Sequence, residues 1–216
     1  MSWALIPLTE EQHAIQRAAR DFARDELAPQ VKERDRDGCF DRSLIPKLAE
    51  LGFLGMLLPE EYDGLGLDTC TYLVALEEIA AVDASAAVLM SVHNSLPTQM
   101  ILTYGSDEQR KRFLPGMARG EILGAFALSE PEAGSDAAAL TTRAVRDGKD
   151  WILSGTKAWV TNGGEAGAIL ALARTDSPND YKGARGIGAR FRLGQRECAQ
   201  DFASRHGGEE ARALFL

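Results

Sequence analysis

The sequence predicts an α+β protein, in which an N-terminal all-α helical domain is followed by an antiparallel β domain. Two observations predict this class. Apolar residues recur at helical spacing up to about Gly120, and the pattern changes near Glu121 to short apolar runs of strand length. The two patterns do not alternate along the chain, which favours segregated helices and strands over a parallel βαβ sheet.

The first predicted helix begins at a capping-box pattern, Thr9-Glu-Glu-Gln12, in which Thr9 is the N-cap residue. Apolar residues follow it at helical spacing. Pro29 discourages continuation, so we expect this helix to end near Leu27. The next stretch, residues 31–37, is mostly charged, and we expect it to be solvated.

Four more segments carry helical patterns between recognisable start and stop residues. Pro97 is expected to interrupt or kink the third of them, and Gly105 is a plausible C′ residue at its end. The segments run from Ser43 to Gly52, from Asp68 or Thr69 to Ala80, from Ala84 to Tyr104 and from Ser106 to Gly120.

The β part begins with a compact apolar run, Ile122–Leu128. Two later runs, Thr141–Arg146 and Trp151–Leu153, flank the turn signal Asp147-Gly148 and predict a hairpin. Ala168–Ala173 is another apolar run of strand length. Gly183–Gly188 reads as a flexible loop.

Composition excludes several classes of function. The net charge of −8 on 216 residues argues against nucleic-acid binding, which needs clustered Lys and Arg. Three scattered histidines and the widely spaced Cys39, Cys70 and Cys198, without a C-x-x-C pattern, indicate neither a metal site nor a disulfide framework. No apolar run approaches membrane-spanning length, and the N-terminus lacks the pattern of a signal peptide. We therefore expect a cytoplasmic protein.

Two stretches carry the candidate chemistry, Phe126-Ala-Leu-Ser-Glu-Pro-Glu-Ala-Gly-Ser-Asp136 and Lys157-Ala-Trp-Val-Thr-Asn-Gly163. Together they offer an aromatic plate, short hydroxyl donors and a glycine that lets a ligand approach the backbone, which suits a flat ligand with a polar edge. A flavin is such a ligand. From these residues alone, an ordinary strand and turn with polar decoration is the simpler interpretation.

Further motifs favour the flavin interpretation, because they occur in the order and spacing of one family. The sequence resembles the acyl-CoA dehydrogenases, flavin enzymes of fatty-acid and branched-chain oxidation, over roughly residues 8–187, and most of all their short-chain and butyryl-CoA members. Besides the two stretches above, the motifs are Glu60-Glu-Tyr-Asp-Gly-Leu-Gly-Leu67, Glu77-Glu-Ile79, Val82-Asp-Ala-Ser85, Ser91-Val-His-Asn-Ser-Leu96 and Gly105–Gly120.

The resemblance implies an FAD site. Phe126, Leu128 and Ser129 would line and hydrogen-bond the isoalloxazine, and Trp159 would lie against the ring. Gly134 and Ser135 would contact the pyrophosphate, and Ser135 would also face the substrate's CoA arm. The implied cofactor-binding residues are Phe126, Leu128, Ser129, Gly134, Ser135, Trp159, Val160 and Thr161.

The resemblance also implies that the β domain is incomplete and that the family's C-terminal helical bundle is absent, since members run to about twice this length. That bundle carries the catalytic glutamate base, so we assign no catalytic residue. We divide the chain into a helical domain at residues 1–120, a partial middle β domain at 121–187 and a divergent tail at 188–216. A frameshift near Ile187 and a divergent β segment are both open explanations of the tail.

The activity implied is α,β-dehydrogenation of a short-chain acyl-CoA to a trans-2-enoyl-CoA, with hydride transfer to FAD and electrons passing to an electron-transferring flavoprotein. Full-length relatives would be homo-oligomeric. An inactive fragment with at most residual flavin or CoA binding is the alternative, and a relative that passes electrons to oxygen is a third possibility. Glu130, Glu132 and Asp136 are no obvious replacements for the base, and His93 is expected to be a packed histidine.

Overall fold

The computed structural model describes residues 7–38, 41–148, 150–175, 184–189 and 211–215, the last two ranges by their backbone alone. The helices of this part of the chain are α1 (Glu10–Phe22), α2 (Val31–Asp37), α3 (Leu44–Glu50), α4 (Thr69–Ala80), α5 (Ala84–Ser95), α6 (Pro97–Tyr104) and α7 (Asp107–Ala118). Its strands are β1 (Gly124–Ala127), β2 (Arg143–Asp147), β3 (Asp150–Ser154), β4 (Ala168–Thr175), β5 (Ala184–Ala189) and β6 (Ala211–Phe215).

The capping box predicted for α1 is confirmed. The Gln12 N–H donates to Thr9 Oγ1 over 3.2 Å, and the Thr9 N–H donates to Gln12 Oε1 over 3.1 Å. A π-helical turn, Ala23–Leu27, continues α1, so helical backbone extends to Leu27 as predicted. Asp68 and Asp83 are the N-cap residues of α4 and α5, and each side chain accepts the backbone N–H three residues later.

Pro97 separates two helices, as predicted. It is the first residue of α6, a position where its missing N–H costs nothing. Gly105 ends α6 but is extended, with φ −69° and ψ 151°, and so lacks the left-handed conformation of a C′ glycine. A Cβ at Gly105 would lie 2.5 Å from the carbonyl oxygen of Ile101, so close packing explains this glycine.

The helical core lies between α1, α3, α4 and α5, where Leu27, Leu48, Ile79 and Met90 are fully buried. Polar pairs lie at its outer edge. One of them is a bidentate ion pair between Arg20 and Glu78, which joins α1 to α4. Within the described ranges, no helix is both long and apolar enough to cross a bilayer.

The strands form one mixed sheet. β2 and β3 make the predicted antiparallel hairpin, while β4 runs parallel to β1 through its first half and parallel to β2 at its end. β5 pairs antiparallel with β4, and β6 pairs antiparallel with both β3 and β5, which closes a ring of strands. The α+β class is confirmed, although the two parallel pairings did not follow from the sequence.

The flexible loop expected at Gly183–Gly188 is wrong for its described residues, because Ala184–Ala189 forms β5 and pairs along β4. Such pairing uses backbone groups, which glycines supply without any apolar pattern. Within the predicted tail, residues 188–189 belong to β5 and Ala211–Phe215 forms β6. The rest of the tail, which includes Cys198, lies outside the described residues. Cys39 and Gly183 also lie outside them. The three-part domain division stays a prediction.

Strand β1 is where the helices meet the sheet. Phe126 packs against an apolar cluster that includes Phe113 and Leu114 of α7. Ala125 and Ala127 belong to a separate cluster with residues of β4. This division follows from the alternation of side chains along a strand.

Candidate functional site

The two stretches singled out in the sequence lie side by side. The Ala158 N–H donates to the carbonyl oxygen of Ser129 over 2.9 Å, and the Lys157 ammonium donates to the carbonyl oxygen of Leu128, also over 2.9 Å. Two consecutive residues of one stretch therefore bind two consecutive carbonyls of the other. Within the described residues, none of these contacts uses the hydroxyl of Ser129 or Thr161.

The first stretch turns back immediately after Ser129. Glu130 and Ala133 exchange two backbone hydrogen bonds, of 2.9 and 3.2 Å, across a turn whose two central residues, Pro131 and Glu132, are exposed. The turn brings the exposed Gly134 and Ser135 out beyond it. The Asp136 carboxylate accepts the Ala138 N–H over 3.2 Å and starts a short 3-10 turn.

The Glu130 carboxylate lies beneath this turn with its side chain only 2% exposed. It accepts the Lys157 ammonium at 2.8 Å, the Thr142 N–H at 2.9 Å, and both the N–H and the hydroxyl of Thr141. Burial by itself would raise the pKa of Glu130, but these hydrogen bonds outweigh it and hold that pKa far below the usual range of a glutamate. Glu130 is therefore a structural carboxylate.

Trp159 is 94% exposed, which is exceptional for so large an apolar side chain. Its φ of 57° lies in the left-handed region, where bulky residues are rare. Asn162 also has a positive φ, of 64°, and its amide nitrogen donates to the carbonyls of Leu89 at 3.3 Å and Gly124 at 3.1 Å. The second stretch is thus anchored on both sides of Trp159, while the ring itself extends into solvent.

The other predicted site residues have different surroundings. Phe126 is half-buried against the helices, and Val160 is half-buried against the apolar cluster of β1 and β4. Gly134 is exposed, and a Cβ built on it would meet no atom within 4 Å. The remaining members divide into half-buried Leu128, Ser129 and Thr161 and exposed Ser135. Their roles toward a cofactor stay predictions.

His93 is fully buried at the junction of α5, α7 and β1. The Gly124 N–H donates to its Nδ1 over 2.9 Å, so the proton is on Nε2, which donates to the carbonyl of Met117 over 3.2 Å. Burial lowers the pKa of His93 from 6.5 to about 4, against smaller opposing effects of backbone carbonyl contacts. The histidine is neutral and packed, as expected.

Sequence reasoning gave no role to Lys157 or Asn162, and it considered Glu130 only as a base. The partners of Lys157 and Asn162 lie 27 to 73 residues away, so no local spacing could pair them. A lysine directly before an apolar and aromatic run was the available signal. Across the described residues, no three His, Cys, Asp or Glu side chains come together in a way that could hold a metal ion.

Two family models match the chain. Residues 9–121 match the acyl-CoA dehydrogenase N-terminal domain, and residues 125–189 match the acyl-CoA dehydrogenase middle domain. The chain belongs to the acyl-CoA dehydrogenase family. The resemblance inferred from the sequence motifs is therefore confirmed, and both site stretches lie within the middle-domain match.

Individual relatives agree with this assignment. The chain is 44% identical over 178 residues to the mitochondrial short-chain specific acyl-CoA dehydrogenase of Mus musculus, a match that covers 82% of this chain and 43% of the mouse protein. It superimposes on butyryl-CoA dehydrogenase from Megasphaera elsdenii with a TM-score of 0.82 and 33% identity, covering 98% of this chain and 57% of that one.

A third similar protein is a glutaryl-CoA dehydrogenase from Mycobacterium smegmatis in complex with FADH2, with a TM-score of 0.81 and 32% identity, covering 97% of this chain and 53% of that one. The chain thus spans less than half the length of the mouse relative and little more than half of the two solved chains.

Proposed function

We propose that the chain forms the flavin-holding part of an FAD-dependent dehydrogenase of short-chain acyl-CoA thioesters. The observation that carries the proposal is the placement of Trp159. Its ring is 94% exposed and its backbone is in a left-handed conformation, although both flanking segments are anchored. A strained, exposed aromatic on a rigid support is explained by a flat ligand that covers it.

The residues around Trp159 fit a flavin. Ser129 and Thr161 would offer hydroxyl donors to the polar edge of the ring, since the contacts that join the two stretches leave these hydroxyls unused. Nothing in the described fold requires the missing Cβ of Gly134, and the open space beside it would admit a phosphate next to Ser135. When bound, FAD supplies the acceptor for the hydride that leaves the acyl chain.

No described carboxylate of the turn suits the base that removes the α-proton. Glu130 is buried and fully engaged, Glu132 lies at an exposed position of the turn, and the Asp136 carboxylate accepts the Ala138 N–H. We therefore assign this chain the tasks of binding and orienting the flavin, and assign none of its residues as the base. The whole reaction, giving a trans-2-enoyl-CoA, is proposed for the family's complete protein.

The substrate class and the electron acceptor are proposed on similarity. The mouse relative is named for short-chain acyl-CoA and the Megasphaera structure for butyryl-CoA, which favours a short acyl chain. An electron-transferring flavoprotein is the proposed acceptor of the electrons. The alternative function is that of an inactive fragment that retains flavin or CoA binding.

The test is to express the 216-residue chain, measure bound flavin by its absorbance, and add butyryl-CoA without oxygen. Bound flavin supports the proposal. If that flavin stays oxidised, this chain holds it without a base, as assigned above and as the inactive alternative also states, whereas bleaching would mean that a residue of this chain does remove the α-proton. A folded chain that takes up no FAD contradicts the proposal for this chain. Trp159→Ala is the comparison variant, because it should keep the fold and bind flavin more weakly.

A further inference from the structure

Lys157 and Glu130 form a buried ion pair that joins the two site stretches. The side chains are only 8% and 2% exposed, and the ammonium donates both to the carboxylate and to the backbone carbonyl of Leu128. The carboxylate also accepts hydrogen bonds from Thr141 and Thr142, which lead into β2. One carboxylate thus connects three separate segments of the chain.

We infer that Glu130 and Lys157 are positioning residues that fix Trp159 and Ser129 in register with each other for the flavin. This inference rests on the proposed function and adds residues that would touch neither flavin nor substrate. The register follows from the contacts. The Lys157 ammonium donates to the Leu128 carbonyl, and the N–H of the next residue, Ala158, donates to the Ser129 carbonyl. Trp159 follows Ala158 directly.

Two arguments favour positioning over stability alone. A buried ion pair gains little over well-packed apolar residues of the same shape, because both charges lose their hydration. Strict control of how the two segments lie relative to each other is a better reason for a buried ion pair at this place. In addition, the Trp159 ring is almost wholly exposed, so little packing of its own fixes its position. That position depends on the backbone anchors on either side, of which Lys157 and Ala158 lie immediately before the ring.

The experiment compares three variants of the full chain. Lys157→Met removes the ammonium, Lys157→Arg keeps a cation able to reach both oxygens, and Leu48→Ala destabilises the distant helical core without touching the pair. The FAD affinity of each variant is measured by titration, under conditions in which all three variants are folded. Hydrogen exchange at the Ala158 amide, which bonds to Ser129, is measured without FAD.

We expect Lys157→Met to weaken FAD binding by roughly 10- to 100-fold and to speed exchange at Ala158, since small displacements of a binding group have effects of this size. Lys157→Arg should recover most of the affinity. Leu48→Ala should leave the FAD affinity unchanged and should speed exchange at Ala158 less than Lys157→Met does, since it lowers stability without removing the local contact. Equal losses in Lys157→Met and Leu48→Ala, or unchanged exchange at Ala158 in Lys157→Met, overturn the inference. If the parent chain binds no FAD, the proposed function fails, and the exchange measurement still decides whether the pair sets the register.

Discussion

Buried polar groups bind both ends of β1, and they differ in charge: the group at the start is neutral, and the group just beyond the end is charged. At its start, the Gly124 N–H is bound by the neutral ring of His93, which also binds the Met117 carbonyl. Just beyond its end, the Leu128 carbonyl is bound by the charged Lys157, which is paired with Glu130. The first junction joins helices to the sheet, and the second joins the two stretches of the candidate flavin site.

The difference lies in what each junction demands of its partners. A neutral imidazole satisfies one donor and one acceptor and carries no charge that needs compensation. The ion pair must keep both partners, because either charge alone would be buried without its counterion. The helix junction should therefore respond mainly to pH, and the site junction mainly to the loss of one side chain.

The largest expected effect is that of Lys157→Met. It leaves the Glu130 carboxylate buried without its cation, so we expect the free energy of unfolding to fall by about 3–5 kcal/mol. Lys47→Met is the matched control, because Lys47 pairs with Glu26 on the surface with about two fifths of each side chain exposed. That variant should lose far less stability than Lys157→Met, because water screens the exposed pair. Similar losses in the two variants, measured by urea unfolding, would remove the proposed difference between buried and exposed pairs.

Acid should affect the His93 junction first. The pKa of His93 is lowered to about 4 in the fold, so the unfolded chain binds a proton below pH 6.5 that the folded chain does not. Stability must then fall as the pH falls from about 6.5 to 4, by about 3 kcal/mol in total at about 1.4 kcal/mol per pKa unit. The lowered pKa of Glu130 gives a contribution that is fully present above about pH 4.5 and is lost only below it.

Unfolding measured from pH 7 to pH 4 tests whether the His93 junction loses stability at a higher pH than the Glu130 junction does. His93→Gln should flatten the pH dependence between 6.5 and 4. An unaltered slope in His93→Gln would mean that the buried imidazole is not the group that titrates.

Sequence reasoning succeeded where the cause of structure is local. The capping box Thr9–Gln12 and the apolar spacing after it define α1, and the turn Asp147-Gly148 defines the β2–β3 hairpin. In both, the residues that contact each other lie close together in the sequence. The fold class and the two site stretches follow from such patterns and from the family motifs. The parallel pairing of β4 and the junction at Glu130 could not be predicted this way, because their partners are separated by long stretches of chain.

Asn162 joins the second site stretch to the first junction, because its amide nitrogen donates to the carbonyls of Gly124 at the start of β1 and Leu89 in α5. Asn162→Ala removes both hydrogen bonds and places an alanine at a φ of 64°, so we expect a loss of about 2 kcal/mol of stability. Asn162→Gly loses the same bonds without the steric cost, and its loss should be about 1 kcal/mol. Equal losses in thermal unfolding would show that the left-handed backbone is not strained.

The smallest expected effect on stability has the opposite sign. Trp159→Asn should raise the free energy of unfolding by up to about 1 kcal/mol, because asparagine tolerates a φ of 57° better than tryptophan, and almost no buried area is lost at a side chain that is 94% exposed. The same variant should weaken FAD binding by roughly 10- to 100-fold, the usual range for loss of an aromatic stacking partner. Tyr104→Asn, at a 70% exposed position outside the site, is the control for loss of a surface aromatic. A Trp159→Asn chain that is less stable than the parent, with unchanged FAD affinity, would mean that the ring supports the fold and does not face a ligand.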